Sequence, residues 1–387
     1  MTLHVRILAG KLDRGAGSHV YHKQLACRLV ARGYRVSVIS MSFDDDVHQL
    51  TELTVLQTRA YTESPLLWRI APIRQYLRCV QGLRVATLEQ PDVVIAGEHL
   101  LLKEHFRLFP AVPWIYLPHA LTVSEEILNY RLPRSLRTIS LGLYRHLQRW
   151  ALQHSWCTLR FSRSGCAYLH CAYRLSKPIR YVVNPMGIDL PDVQVRVPRH
   201  RTPQLLIIGR LSHRKGIDIA LNALAQLASV PWHLNVVGEG DQRDALICYA
   251  ATHGLSSRVT FAGPTSEPSQ WYSRSDLMLF PSRSESLGLV LLEAMSFSVP
   301  CLGFRSDGQL FKNVSDEIID HGRTGLLALS ESDFVEQLRD ALLRPEYLIE
   351  LGRAARLEVQ QNHSWEMHLR CYDDLFDQMT CGTNTPA

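Results

Sequence analysis

No uninterrupted apolar run of about 18 residues occurs in the 387-residue chain, so no membrane-crossing helix is expected. The opening segment, Met1 to Ala9, carries His4 and Arg6. It is too short and too charged for a secretory leader and reads as a buried strand. Cysteine is present but unorganised. The 9 cysteines are scattered without a spaced framework, so they read as reduced thiols in a cytoplasmic protein. The sequons Asn313-Val314-Ser315 and Asn362-His363-Ser364 then carry no meaning. The first glycine loop, Gly10 to Gly17, lacks G-x-G-x-x-G, which argues against a nicotinamide dehydrogenase. No nucleic-acid-binding module is recognisable. With 46% hydrophobic and 20% charged residues, disorder is excluded and an ordinary globular chain of two domains is expected.

Charge is short of one sign in each half. Residues 1–190 hold 24 Lys/Arg against 13 Asp/Glu, and residues 191–387 hold 18 against 24. The basic first half fits an anionic acceptor or an anionic membrane surface, and equally a solubilising surface.

Two α/β patterns are present. In the first, Val5 to Ala9 reads as a strand, Gly10 to Gly17 as a loop, and Ser18 as the cap of a helix ended by Gly33. Tyr34 to Ser40 is the next strand. This is a right-handed βαβ unit of a parallel sheet. Val93 to Ala96 and Trp114 to Leu117 supply further strands. The second pattern starts at Gln204 to Ile208 and runs through a helix at Ile217 to Leu227 and a strand at Trp232 to Val237. A helix at Asp241 to Thr252 and strands at Val259 to Phe261 and Leu277 to Phe280 follow. Asn184 to Arg201 reads as the linker. Ligands of such open parallel sheets bind at the carboxyl ends of the strands.

Three strand-to-helix turns carry chemistry. Ser284-Glu285-Ser286-Leu287-Gly288-Leu289-Val290-Leu291-Leu292-Glu293 places one glutamate before a helix and another on its second turn. Free N–H groups at that helix start suit a phosphate, and the carboxylates suit sugar and ribose hydroxyls. Gly209-Arg210-Leu211-Ser212-His213-Arg214-Lys215-Gly216 offers Arg210 and Lys215 as a diphosphate clamp. Val237-Gly238-Glu239-Gly240 gives a turn where backbone can approach a ligand closely. Taken singly, each has a plain alternative: solvated charges and structural turns.

In their order and spacing, these segments resemble the retaining glycosyltransferases of family 4, which have the GT-B fold. G-R-L-x-x-R-K-G comes first, then V-G-x-G at 237–240 and V-T-F-A-G at 259–263. P-S-R-S-E-S-L-G-L-V-L-L-E-A at 281–294 and Glu317-Ile318-Ile319 with Gly322-x-Thr324-Gly325 complete the series. Gly15-Ala16-Gly17, His119, Met186-Gly187-Ile188-Asp189 and Ser364-Trp365-Glu366 are weaker matches.

The resemblance implies an α/β fold of two Rossmann-like lobes whose parallel sheets face an interdomain cleft, with a C-terminal helix crossing back to the first lobe. Residues 1–188 would form the acceptor-side lobe and 189–363 the nucleotide-sugar lobe. Residues 364–387 would form the returning helix and tail. It implies transfer of a hexosyl group, with retention and without a metal, from a nucleotide-diphosphate sugar to an acceptor hydroxyl. A UDP-sugar is favoured over GDP-mannose, the acceptor being lipid-linked, polysaccharide or a small metabolite. The nucleotide sugar is a substrate, so no cofactor is expected. His119, Arg210, Lys215 and Glu285 would do the chemistry. Gly17, Gly238, Phe261, Gly263, Ser286, Leu287, Gly288, Leu289 and Glu293 would hold the donor.

One stretch departs from the family, which usually has Gly-Gly-x-Pro-Glu facing the sugar. Here Arg305 to Glu317 is longer, and Asp316 replaces the proline. A GT-B epimerase or phosphorylase and a silent binding subunit are the alternatives. Arg210, Lys215, Glu285 and Glu293 are all present, which argues against silence.

Two further features have plainer readings. Asp44-Asp45-Asp46 and the group His154, Cys157, Cys166, His170 and Cys171 read as a solvated loop and packing residues rather than metal ligands, since zinc needs four converging ligands. Arg69, Arg74, Arg78 and Arg84, and Arg131, Arg134, Arg137, Arg145 and Arg149, lie among leucines and tryptophans. Such helices could touch the inner face of an anionic membrane, but packing on their own lobe is the favoured reading.

Overall fold

The computed structural model describes residues 2–9, 17–40, 54–57, 89–118, 134–173, 175, 178–192, 202–285 and 288–381. The apolar runs become the inner strands of two parallel sheets. Strands buried on both faces read as continuous hydrophobic stretches rather than alternating ones, and this holds for β4 (Val93–Ala96) and β11 (Leu277–Phe280); every residue of these and of β1 (His4–Ala9) is buried.

The chain divides into two units, Met1–Asn184 with Leu369–Ala387, and Pro185–His368. In the first, β2 (Arg35–Ser40), β3 (Thr54–Gln57), β5 (Trp114–Tyr116), β6 (Cys157–Arg160) and β7 (Tyr181–Val183) join β1 and β4 in the order β3-β2-β1-β4-β5-β6-β7. The helix between β1 and β2 spans Gly17–Ala31, so it begins one residue before the Ser18 expected as its cap. It stops as the glycine dictates: Gly33 sits at φ 94°. Its amide donates to the Val30 carbonyl (2.9 Å) while the Tyr34 amide donates to that of Leu29 (3.1 Å), the paired bonds of a Schellman ending.

β1 also carries buried polar side chains, His4 and Arg6. Arg6 is 2% exposed. Its Nε donates to Ser37 Oγ (3.1 Å), its Nη1 to His105 Nε2 (3.2 Å) and its Nη2 to the Glu89 carbonyl (2.6 Å). Burial and the neighbouring Arg6 charge push the His105 imidazole down to about 3.

The basic helix Arg134–His154 packs on its own unit. Tyr144, Leu147, Ala151 and Leu152 are buried, and Trp150 stacks on Trp114 with centroids 5.9 Å apart. Arg145 and Arg149 are exposed. Arg69, Arg74, Arg78, Arg84 and Arg131 lie outside the described residues. Among the described residues, no helix is long and apolar enough to cross a membrane.

The terminal helix, Trp365–Thr380, belongs to the first unit from Leu369 onward. There Tyr372 OH meets Tyr21 OH at 2.9 Å, and the Asp373 carboxylate accepts from Arg32 Nε (2.7 Å) and Tyr34 OH (2.8 Å).

In the second unit, β8 (Gln204–Ile208), β9 (His233–Val237), β10 (Val259–Gly263), β12 (Cys301–Phe304) and β13 (Gly325–Ala328) pair with β11 in the order β10-β9-β8-β11-β12-β13. The order reverses direction between β8 and β11. The two weakly matching segments at the ends of this unit are brought together: the Ile188 amide donates to the His363 carbonyl (2.8 Å), and Ile188 bridges Ser364. A Cβ on Gly187 would lie 2.8 Å from Trp365 Cα. His368 Nδ1 donates to the Pro185 carbonyl (2.8 Å).

Candidate active site

The strand order reverses between β8 and β11, and open parallel sheets bind ligands beyond the carboxyl ends of the strands at such a reversal. The loop after β8 carries Arg210 and Lys215, and the loop after β11 carries Glu285.

Backbone packing fixes the first of these loops. Gly238, at φ 136°, has no room for a side chain, because a Cβ would lie 1.9 Å from the Gly209 carbonyl oxygen. A Cβ on Gly240 would lie 2.1 Å from that of Leu211. The loops are also zipped by hydrogen bonds. The Leu211 amide donates to the Glu239 carbonyl (2.9 Å), and the Gly238 amide to that of Gly263 (2.8 Å). The close approach that demands glycine at 238 and 240 is thus to the adjacent loop.

A short 3-10 turn, His213–Lys215, then ends in Gly216 at φ 65°. Its Cβ would lie 2.0 Å from the Pro281 carbonyl oxygen, so the loops after β8 and β11 touch there. Further contacts join them. The Arg283 amide donates to the Arg214 carbonyl (2.9 Å). The Arg283 guanidinium donates to the His213 carbonyl (2.8 Å) and forks onto both carboxylate oxygens of Asp218 (2.8 and 2.6 Å). Lys215 Nζ donates to Glu285 Oε2 in an ion pair whose side chains are 17% and 12% exposed. The ammonium lies 5.9 Å from the centre of the Phe280 ring. Arg210 is exposed. Among the described residues nothing accepts a hydrogen bond from its guanidinium.

Glu285 is also held through its backbone. Its amide donates to the Lys312 carbonyl (3.0 Å), and the Lys312 amide donates to that of Arg283 (2.7 Å). Lys312 lies within the stretch that departs from the family pattern, Arg305 to Glu317. That stretch is tightly built: the Asp307 carboxylate accepts from the Gln309 (2.8 Å) and Phe311 (2.9 Å) amides. Phe311 is stacked on Phe304 with centroids 3.9 Å apart. Asp316 is exposed in a short helix, Ser315–Ile318.

Gly288 caps the helix Leu289–Ser296 at φ 61°, and a Cβ there would lie 2.7 Å from Ile318 Cδ1. Leu289 is half-buried at the helix start. Glu293, on the second turn, is half-buried and accepts from Tyr272 OH (2.6 Å). Burial raises the Glu293 carboxyl above the usual range, against the Tyr272 hydrogen bond. Phe261 is half-buried in β10, where the register shifts before Gly263, and Gly263 takes φ 77° with open space around its Cβ direction.

Of the other expected site residues, Gly17 is the first residue of its helix. His119, Ser286 and Leu287 lie outside the described residues. Among the described residues no group of three or more His, Cys, Asp or Glu could hold a metal ion. Asp44-Asp45-Asp46 lies outside them, while His154 is engaged with the Trp150 carbonyl (2.8 Å). Sequence spacing carries no sign of Arg283 with Asp218, of Lys312, or of Tyr272. Their partners lie 65, 27 and 21 positions away.

Comparison with known proteins agrees with this geometry. Residues 192–358 match the family model of glycosyl transferases group 1, and residues 15–191 that of glycosyltransferase family 4. D-inositol 3-phosphate glycosyltransferase of Gordonia bronchialis is 32% identical over 95% of this chain and 85% of its own. Glycogen synthase of Mycobacterium tuberculosis is 26% identical over 91% and 88%. Among solved structures, sucrose-phosphate synthase from Thermosynechococcus elongatus superposes with a TM-score of 0.79 at 20% identity, covering 98% of this chain and all of that one. Anabaena HepE in complex with UDP-glucose gives 0.69 at 18%, covering 96% and 99%. Two parallel Rossmann-like sheets with these relatives define a GT-B glycosyltransferase. The chain belongs to glycosyltransferase family 4.

Proposed function

We propose that the protein is a retaining hexosyltransferase that takes its sugar from a UDP-hexose, without a metal ion, and delivers it to the hydroxyl of an anionic acceptor. The observation that carries this reading is the cation set at the β8/β11 reversal. Arg210 lies open to solvent, and Lys215 is paired to Glu285 close by. A diphosphate arriving there competes for Lys215 and adds Arg210 through charge-assisted bonds. Glu285 is released to accept hydrogen bonds from the sugar hydroxyls. Glu293 has one oxygen on Tyr272 and offers the other to the ribose.

In this reaction the bond between the anomeric carbon and the diphosphate oxygen breaks. The acceptor oxygen attacks on the same face, and its proton passes to the departing diphosphate. Negative charge grows on that diphosphate, so prearranged cations and the helix start at Gly288 lower the barrier. His119 and the Gly17 amide are the further residues that the family resemblance assigns to this reaction.

Support for the donor comes from HepE, solved with UDP-glucose. Support for the acceptor comes from the basic first half and from the Gordonia relative, whose named acceptor is a phosphorylated polyol. Titration calorimetry with UDP, GDP, ADP and their sugar conjugates, with and without Mg²⁺, tests the reading. Metal-independent UDP binding that is lost in Arg210→Ala/Lys215→Ala supports it. Strict Mg²⁺ dependence, or no nucleotide bound at all, would overturn it.

A further inference from the structure

We propose that Arg283 is a positioning residue for the donor, the side chain that keeps Lys215 and Glu285 in register once the donor has drawn them apart. The inference rests on the donor reading above and adds to it a residue that touches no substrate.

The argument starts from what donor binding does to the site. In the empty site the Lys215–Glu285 ion pair ties the two loops together. A diphosphate on Lys215 and hydroxyls on Glu285 break that tie at the moment when position matters most. Something else must then hold the loops.

Arg283 is bonded on both sides. Its guanidinium grips His213 at the start of the 3-10 turn and Asp218 in the helix just after it, so Lys215 lies inside the bracketed stretch. Its backbone reaches the other way: its carbonyl accepts from Lys312, whose own carbonyl accepts from Glu285. The planar fork of five N–H donors allows one side chain to serve a carbonyl and a bidentate carboxylate together, which an ammonium cannot do. With its charge spent on Asp218, Arg283 is not a phosphate ligand. Its effect passes through Lys215.

The test needs no acceptor. Full-length wild type, Arg283→Ala, Arg283→Lys and Asp218→Asn are titrated with UDP and UDP-glucose, each alone and in a Lys215→Ala background, at a temperature where thermal melts show every variant folded. We expect Arg283→Ala and Asp218→Asn to weaken UDP binding roughly tenfold, as small displacements of binding groups do, with no rescue by lysine. In the Lys215→Ala background the same changes should cost less than about twofold, because residues acting through one another are not additive. Full-size losses in both backgrounds would mark Arg283 as independent of Lys215 and overturn the inference, as would wild-type affinity in Arg283→Ala. If Arg283→Ala does not fold, Asp218→Asn, which keeps the side-chain shape, decides the matter by the same criteria. Wild type that binds neither ligand overturns the donor reading, and this inference with it. Wild type that binds while Arg283→Ala matches it overturns the inference alone.

Discussion

Lys215 and Glu285, 70 residues apart in sequence, meet as a hydrogen-bonded ion pair across the reversal between β8 and β11. Their chemistry suits different parts of a donor, the ammonium a phosphate and the carboxylate sugar hydroxyls. Their contact means that each is the other's partner until a donor arrives. Lys215→Ala should therefore lower turnover at least tenfold, by roughly 1.4 kcal/mol or more in the barrier. It should also take the cation away from a shielded carboxylate. The double variant Lys215→Ala/Glu285→Ala should regain part of the lost stability, since an uncompensated charge costs more than an absent pair. Initial rates and urea midpoints on the single and double variants check both statements.

Gly238→Ala should be far more costly than Gly254→Ala, although both glycines have positive φ. At 254 nothing lies within 4 Å of the added Cβ, so only the left-handed backbone is penalised, by about 1 kcal/mol. At 238 the added atom would lie 1.9 Å from the Gly209 carbonyl. Loop displacement there should cost about 3 kcal/mol or more and abolish nucleotide binding. Denaturant midpoints and a UDP titration of both variants provide the comparison.

Glu293 is held against its own ionisation. Its carboxyl is raised by burial, so the stability it contributes is full below the usual carboxylate range and is lost as pH climbs through its folded value. At neutral pH, Glu293→Gln should be neutral or stabilising by up to about 1 kcal/mol, while donor affinity falls. A gain at pH 7 that shrinks towards pH 4, seen in thermal melts, is the expected signature.

Acid should weaken the fold through buried neutral histidines. His105 is pushed down to about 3 by burial and Arg6, and His368 to about 4 by burial. Below the ordinary histidine value of about 6.5 the unfolded chain takes up protons first, so stability falls as pH drops from there towards 4. His105→Gln, which keeps a hydrogen-bond acceptor for Arg6, should flatten that slope. Urea midpoints between pH 7 and pH 4 measure it.

The strands and the three loops were legible because apolar runs and glycines report local structure. Gln204 to Ile208 and Leu277 to Phe280 are the strands expected, and Gly33 and Gly288 end and begin helices where their backbone freedom is needed. The pairing of loops was not legible. Nothing near Arg283 in sequence announces Asp218, and nothing near Glu285 announces Lys312, because those contacts exist only after the sheet has set its strand order. The same holds for Arg6 and His105, 99 positions apart. In a strand that otherwise reads as apolar, a lone arginine gives no hint of the partner that lets it be buried. At Gly238 and Gly240 the sequence pointed to the right positions. The physical demand there is the neighbouring backbone.

That demand has a practical side for anyone wishing to change the donor. The loops after β8 and β9 press carbonyl against glycine at 209/238 and 211/240, and a further backbone bond joins 238 to 263. They form a single casting with no slack between its pieces. Exchanging one loop for a relative's would bring foreign curvature against an unyielding neighbour. A transplant intended to alter base preference should carry residues 209–216, 238–242 and 261–263 as one cassette.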